Sequence, residues 1–301
     1  YYSLIDWHHP HYTIDMYHPL KNHPEKEKLN KERDMSIYRK YLHGQIKELL
    51  TEYGKIDLLF CDFSFPGPDG KDKNDWDSEN LVKMIRELQP HILINDRLDL
   101  PDAWDFKTPE QAVPYEWPEV NGKKVIWESC QTFSSISWGY NRDDIWRDSE
   151  EITKTLIDCV SKGGNLLLNV GPTARGEFDY KSRKRLEEIG NWMKYNSRAI
   201  YNCTQAPKEF NIPKDCRLTY NPEKGTLYIH LFSYPYKFLF LEGKEWKENG
   251  SYAQLLNDGS EIKIGLDEWY KNQLGDKEGI VLCLPPIKPN VSVPVIELFL
   301  K

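Results

Sequence analysis

Ile56-Asp57-Leu58-Leu59-Phe60-Cys61-Asp62-Phe63 is the stretch whose reading decides the fold. Six of its eight residues are apolar, Gly54 closes the segment before it, and Phe65-Pro66-Gly67-Pro68 opens a loop just after it. A run this short and apolar, bounded by turn residues, reads as a parallel strand buried on both faces. Asp62 is then delivered to the loop at its carboxyl end. In parallel α/β folds those loops carry the chemistry, so Asp62 is a catalytic candidate as well as a simple strand-end cap.

The same alternation extends to either side. A strand over about 1–5 leads into a His- and Pro-rich loop. A helix over 35–53 follows, with Ile37, Tyr41, Ile46, Leu49 and Leu50 near a 3.6-residue period and Gly54 as its stop. Beyond the central strand come a helix over 77–88 halted by Pro90, a strand over 91–96, a loop over 98–122 and a strand over 124–128. A loop over 129–146, a helix over 149–162 ending at Gly163-Gly164, a strand over 165–170 and a helix over 179–197 complete the series. Five strands in βα alternation imply a parallel sheet, either doubly wound or closed. No GxGxxG supports a dinucleotide fold, which favours the C-terminal portion of a (β/α)8-like barrel over residues 1–203. From 204 to 301 the texture changes to short strand-like runs (227–232, 237–241, 261–265, 279–284, 294–300) separated by Gly, Pro and Asn, the pattern of a small antiparallel β-sandwich.

Composition narrows the function. The 301 residues are 39% hydrophobic and 29% charged, with a net charge of -7 of interspersed sign, which argues against nucleic acid as a partner. No apolar run is long enough to span a bilayer. Ten Trp and eighteen Tyr suit stacking on sugar rings as well as ordinary packing. The six cysteines have no metal-binding spacing and read as buried thiols, with a Cys203–Cys216 disulfide left open. Trp7, His8, His9 and His11 share one loop, without the ordered spacing of a metal site, and read as substrate-contacting or solvated side chains. The chain opens in mid-strand without Met, so further residues ahead of Tyr1 are expected.

Read together, the strand ends offer Tyr2, Trp7 and His8; Asp62; Asn95-Asp96-Arg97; Glu110 on the following loop; Trp127-Glu128; and Trp138. Acids, an arginine and aromatics on one rim are what glycoside hydrolysis requires, with one carboxylate attacking the anomeric carbon and another protonating the leaving oxygen.

The order of Tyr2-Ser3-Leu4-Ile5, Phe60-Cys61-Asp62, Ile94-Asn95-Asp96-Arg97, Asp105-Phe106-Lys107-Thr108-Pro109-Glu110, Trp127-Glu128-Ser129-Cys130, Ser137-Trp138-Gly139-Tyr140-Asn141 and Lys162-Gly163-Gly164-Asn165 through Pro172 resembles the α-L-fucosidases of glycoside hydrolase family 29. The resemblance covers about 1–203. It implies a (β/α)8-like barrel, a retaining mechanism, no cofactor and no metal, and a fucosylated oligosaccharide or glycoconjugate as partner. It also implies a periplasmic, secreted or lysosomal setting, and leaves a homo-oligomer open. On it, Asp62 matches the nucleophile, Arg97 a substrate-binding arginine and Tyr2 an active-site tyrosine. Phe60 stands where the family usually has Trp. Glu110 and Glu128 both match places where members carry the acid/base, and Glu110 is favoured because its loop can reach over the site. The family's paired-His motif is not in these residues, and His8-His9 is not that pair. A non-catalytic remnant that binds fucosylated glycans is the alternative.

Overall fold

The run that ends in Asp62 is hydrogen-bonded on both sides, by strands that come from before and after it in the chain. The computed structural model describes residues 1–135, 137–265 and 277–301, in two units, Tyr1–Thr108 and Pro109–Lys301. The first unit contains β1 (Tyr2–Ser3), α1 (Lys26–Lys31), α2 (Met35–Glu52), β2 (Leu58–Leu59), β3 (Cys61–Asp62), α3 (Lys73–Trp76), α4 (Ser78–Leu88) and β4 (Leu93–Ile94). β3 pairs in parallel with β1, Tyr2 opposite Cys61 and Ser3 opposite Asp62. β2 pairs in parallel with β4, Leu58 opposite Leu93 and Leu59 opposite Ile94. A parallel bridge from Asn95 to Phe106 adds a further neighbour inside the stretch expected to be loop.

Helices α2 and α4 cover one face of these strands. Tyr38, Leu42, Ile46 and Leu50 of α2 pack with Leu81 and Ile85 of α4 against Leu4, Leu59, Cys61 and Ile94. Asp34 caps α2 by accepting from the Ser36 amide, and Gly54, at φ +76, turns the chain out of it. Of the α2 residues expected inward, Ile46 and Leu50 are buried, whereas Ile37 and Tyr41 are exposed and Tyr38 and Leu42 are buried in their stead. Both pairs have i, i+4 spacing, and what decides between them is the Tyr38 hydroxyl, which donates to the Leu4 carbonyl (2.8 Å). The central strand is buried on one face rather than two, since Leu58 and Leu93 are 39% and 45% exposed.

The second unit contains β5 (Glu119–Val120), β6 (Lys123–Lys124), β7 (Glu128–Thr132), α5 (Ser149–Ser161), β8 (Asn165–Asn169), α6 (Tyr180–Asn196), β9 (Thr204–Gln205), β10 (Cys216–Asn221), β11 (Thr226–Leu231), β12 (Phe238–Glu242), α7 (Lys244–Asn249), β13 (Gly250–Leu255), β14 (Lys263–Ile264), β15 (Gly279–Cys283) and β16 (Val295–Leu300). β7 and β8 are parallel; β5 and β6 form a hairpin. The strand expected over 124–128 thus begins where that span ends, because Lys123 and Lys124 belong to the hairpin. The last third forms two antiparallel sheets, β13-β16-β11-β10-β9 and β12-β15-β14. Leu227, Ile229 and Leu231 of β11 face the core shared with β12 and β15, while Tyr228 packs with Trp192 of α6 and Ile157 of α5. The five-stranded sheet is therefore covered on both sides, which is why all six residues of β11 are buried. All six cysteines are thiols, so the Cys203–Cys216 bridge does not form; Cys216 sits in the β10 core. Among the described residues no helix is long and apolar enough to cross a membrane, and no group of His, Cys, Asp and Glu is placed to hold a metal ion.

Two tryptophans set the start of the β7–β8 pair. A Cβ on Gly164 would lie 2.2 Å from the ring of Trp127, and one on Gly163 (φ +71) equally close to Trp117. Trp127 is fully buried, and its Nε1 donates to the Lys162 carbonyl (3.0 Å). Gly164→Ala should therefore displace a ring that cannot move without losing that bond. A loss of about 2–3 kcal/mol is expected from overpacking, read as a lower urea midpoint. An unchanged midpoint would show that the glycine is dispensable.

His230 lies in the layer between the sheet and the helices. Thr219 Oγ1 donates to the Ala199 carbonyl (2.7 Å) and so accepts from His230 Nε2 (2.9 Å). Nδ1 is left as a buried acceptor with no partner among the described residues. Burial pushes the imidazole down to about 3. The unfolded chain binds this proton near pH 6.5, so stability should fall as pH drops from there toward 3, by at most on the order of 5 kcal/mol. His230→Phe should flatten that part of the stability–pH curve; an equally steep curve in the variant would remove His230 as its source.

Candidate active site

Strand alternation decides which side chains meet Asp62. Side chains alternate along a strand, and paired residues share a face, so Tyr1, Ser3, Phe60 and Asp62 fall on one side, and Tyr2, Leu4 and Cys61 on the other. The contacts follow this parity. Tyr1 Oη donates to Asp62 Oδ2 (2.6 Å), and its ring stacks on Phe60 with centroids 5.8 Å apart. Tyr2 turns to α2, where its hydroxyl donates to Gln45 Oε1 (2.7 Å) and burial raises its phenol pKa. The tyrosine at the carboxylate is thus Tyr1, one residue before the expected one.

Arg97 Nη1 donates to Asp62 Oδ1 (2.6 Å), and the two side chains are 17% and 16% exposed. Its guanidinium also lies 5.2 Å from the Phe60 ring centroid, so Phe60 supplies a face for the cation as well as a wall. The other edge is held by Thr108, whose Oγ1 accepts from Arg97 Nε (3.0 Å) and whose carbonyl accepts from Nη2 (3.2 Å). Asp96 Oδ1 in turn accepts from the Thr108 amide and hydroxyl (3.1 and 2.9 Å). Asn95, 1% exposed, accepts from the Cys61 amide (3.0 Å) and donates to the Cys61 carbonyl (2.9 Å). Phe63, next after Asp62, has φ +75, a left-handed conformation costing about 1–2 kcal/mol in a side chain of this size. Ser64 then accepts from Trp76 Nε1 (2.8 Å) and donates to Asp99, whose carboxyl burial pushes upward.

Trp7 and His8 lie on the loop after β1, both exposed; the Trp7 carbonyl faces His18 Nε2 (3.3 Å), and the His8 amide donates to Asp6. In the second unit, Glu110 is exposed and forms a parallel bridge with Cys130 in the middle of β7. The Gln111 amide donates to the Cys130 carbonyl, and Gln111 Nε2 to Thr132 Oγ1 (both 2.9 Å). Glu128 is half-buried, and burial raises its pKa. It opens β7, opposite Asn165, at the amino end of the β7–β8 pair instead of the carboxyl end expected of it. Trp138 lies at the carboxyl end, where its carbonyl accepts from Asn169 Nδ2 (2.6 Å) and its ring is partly exposed. Gly171 lets the chain pass Gly139, since a Cβ there would meet the Gly139 carbonyl carbon at 2.4 Å.

Fold and site define a parallel α/β protein with an arginine-clamped carboxylate at a strand end, continued by an antiparallel β domain. The family profile described as Alpha-L-fucosidase matches residues 1–198, and the chain belongs to that family. It is 36% identical to the Alpha-L-fucosidase isoenzyme 1 of Paenibacillus thiaminolyticus, with a TM-score of 0.88 over 100% of this chain and 71% of that one. It is 26% identical to human tissue alpha-L-fucosidase over 98% of this chain and 58% of the relative. A Bacteroides thetaiotaomicron alpha-L-fucosidase of glycoside hydrolase family 29, 24% identical with a TM-score of 0.77 over 99% of this chain and 67% of that one, shares the fold. That structure is of a trapped covalent intermediate in complex with 2-fluoro-fucosyl fluoride. The chain spans about half to three-fifths of the length of the curated relatives it matches.

Asn95→Leu should leave the Cys61 amide and carbonyl without partners in a dry site. A loss of about 2–4 kcal/mol in urea unfolding is expected. A variant as stable as the parent would mean that another group takes over both bonds.

Proposed function

We propose that this chain is the greater part of a retaining exo-α-L-fucosidase that removes terminal α-L-fucose from glycans. Residues 1–203 would form the C-terminal portion of a (β/α)8-like barrel, and 204–301 a β-sandwich. The observation that carries the reading is Asp62 at the carboxyl end of β3, gripped by Arg97 and Tyr1, in a member of this family. Ionised Asp62 attacks the anomeric carbon while a protonated glutamate gives its proton to the leaving oxygen. Water, deprotonated by the same glutamate, then releases fucose with retained configuration. Arg97 holds one carboxylate oxygen and the Tyr1 hydroxyl the other, so the plane of the carboxylate is fixed before a sugar binds, and Oδ2 attacks once the tyrosine bond gives way to the anomeric carbon.

Glu110 is the better acid/base. Of the two glutamates it is exposed, as a group that exchanges protons with solvent between half-reactions must be, and it lies further along β7 toward the carboxyl end. Glu128 has a position that suits holding the strand start. Phe60, Trp7, His8 and Trp138 are assigned to the sugar's walls. Tyr2 takes a packing role and Tyr1 the contact with Asp62.

Asp62→Asn should lower hydrolysis of an aryl α-L-fucoside by roughly three orders of magnitude while the protein stays folded. For Glu110→Ala, a drop of about 10²–10⁴-fold, partly restored by azide, is expected. Near-normal turnover by Asp62→Asn would remove Asp62 from the role, and azide rescue confined to a Glu128 variant would move the acid/base there. Binding of a fucosylated oligosaccharide by a parent protein without turnover would return the non-catalytic reading.

A further inference from the structure

Two loops of the first unit are fastened together at the strand end that carries Asp62, and the function proposed above draws on Trp7 and His8 of the first but on nothing in the part where the two are joined. β1 and β3 are parallel, so the loop after β1 and the loop after β3 leave from the same edge. The second loop closes on itself through a Phe65–Lys71 bridge, with amide-to-carbonyl bonds of 2.9 and 3.0 Å in the two directions. Gly70 is needed there, since a Cβ would lie 2.0 Å from the Phe65 carbonyl oxygen. The first loop is fastened to it. The Met16 amide donates to the Asp69 carbonyl (2.9 Å), and Lys26 pairs with the Asp69 carboxylate (2.6 Å). Lys71 Nζ reaches Asp15 Oδ2 and the Thr13 carbonyl, both at 2.8 Å.

The Lys71–Asp15 pair is almost fully buried, 4% and 6% exposed, and Tyr12 also donates to Asp15. An ion pair removed from water in this way is poor value as stabilisation but holds its surroundings to one geometry. What it holds is aromatic. Tyr17 and Phe65 have ring centroids 4.4 Å apart, and Phe63 meets Phe65 edge-on at 6.0 Å. Packing alone would bury such a cluster, yet Tyr17 stays 42% exposed. The charges of the frame are paired with one another, so the ridge offers ring faces rather than an ionic grip. Ring faces complement the C–H faces of a neutral pyranose.

We infer that Tyr17 and Phe65 form the subsite for the sugar that carries the fucose, the leaving saccharide. The inference rests on the fucosidase reading, because it places the scissile bond between Asp62 and this ridge. Phe65 follows Asp62 by three residues, and the strained turn at Phe63 lies between them. Because the frame is rigid before binding, little ordering is left to oppose a neutral ligand.

The test compares two substrates on the full chain: α-L-fucosyl fluoride, whose leaving group is an ion, and lactose bearing one α-L-fucose. Tyr17→Ala and Phe65→Ala should each lower kcat/KM on the fucosylated lactose about tenfold, mostly through KM, and leave the fluoride within about twofold. Tyr17→Phe should behave as the parent, because the ring and not the hydroxyl is used. An equal fall on both substrates, or no fall on either, overturns the subsite. If the parent turns over neither substrate, the fucosidase reading fails instead. Titration with plain lactose then decides the subsite alone: binding by the parent that Tyr17→Ala weakens about tenfold supports it, and absence of binding overturns it.

Discussion

One buried amide keeps the reactive edge in register. The ladders β1–β3 and β2–β4 are two residues long, too short to hold a strand against slippage by themselves, and the strand they flank breaks step at Phe60. There the Asn95 side chain pairs with both peptide groups of Cys61, as a neighbouring strand would. Asn95, Asp96 and Arg97 are consecutive, so fixing the first also fixes where the third leaves the backbone. Asp96 holds Thr108, Thr108 holds the guanidinium, and the guanidinium holds Asp62. The carboxylate is thus positioned twice, through its own strand and through its partner's. A half-buried ion pair of this kind contributes more to geometry than to stability.

The four long helices, α2, α4, α5 and α6, were legible because their ends carry stop or cap chemistry, whereas α1, α3 and α7, of four to six residues, are too short to show a 3.6-residue period. Asp34, Asp148 and Asp179 each accept from an amide of the first turn, and Gly54 and Gly163 turn the chain at positive φ. The strand-end acid and arginine were legible too, since an apolar run bounded by turns has only one residue to offer at its exit. What could not be read was parity. With Tyr1 and Tyr2 adjacent and the pairing partner unknown, composition says that a tyrosine faces the acid but not which one. The displacement of β7 has a similar cause. Lys123-Lys124 and Val125-Ile126 form one continuous strand-like run, and only the Trp127–Gly164 contact sets where parallel pairing begins.

The β domain divides the same way. Runs such as 227–232 and 279–284 are apolar on every residue or nearly so and announce themselves. Cys216-Arg217-Leu218-Thr219-Tyr220-Asn221 and Gly250–Leu255 carry polar residues that pattern reading passes over, yet they are the strands that complete the five-stranded sheet. Thr219 is fully buried because its hydroxyl joins Ala199 to His230, a bond between sheet and helix layer that only the tertiary structure creates. Polar residues in the interior of a two-sided sheet are signs of a second covering layer, and here that layer is α5 and α6.

The two glutamates of the second unit show how position outranks acidity. Burial raises the Glu128 carboxyl, and a raised carboxyl is the usual mark of a general acid. Yet a parallel strand has a direction, and its chemistry belongs at the carboxyl end. Glu128 and Thr132 are the first and last residues of β7, and at about 3.3 Å per residue they are separated by about 13 Å. That is more than the span of one pyranose, so on the proposed reading, with the sugar at the carboxyl end of β7, Glu128 is out of reach. Glu110, bridged to Cys130, begins halfway along that distance, and its residue is exposed. Dryness makes a carboxylic acid hold its proton; only placement lets it give that proton to a leaving oxygen.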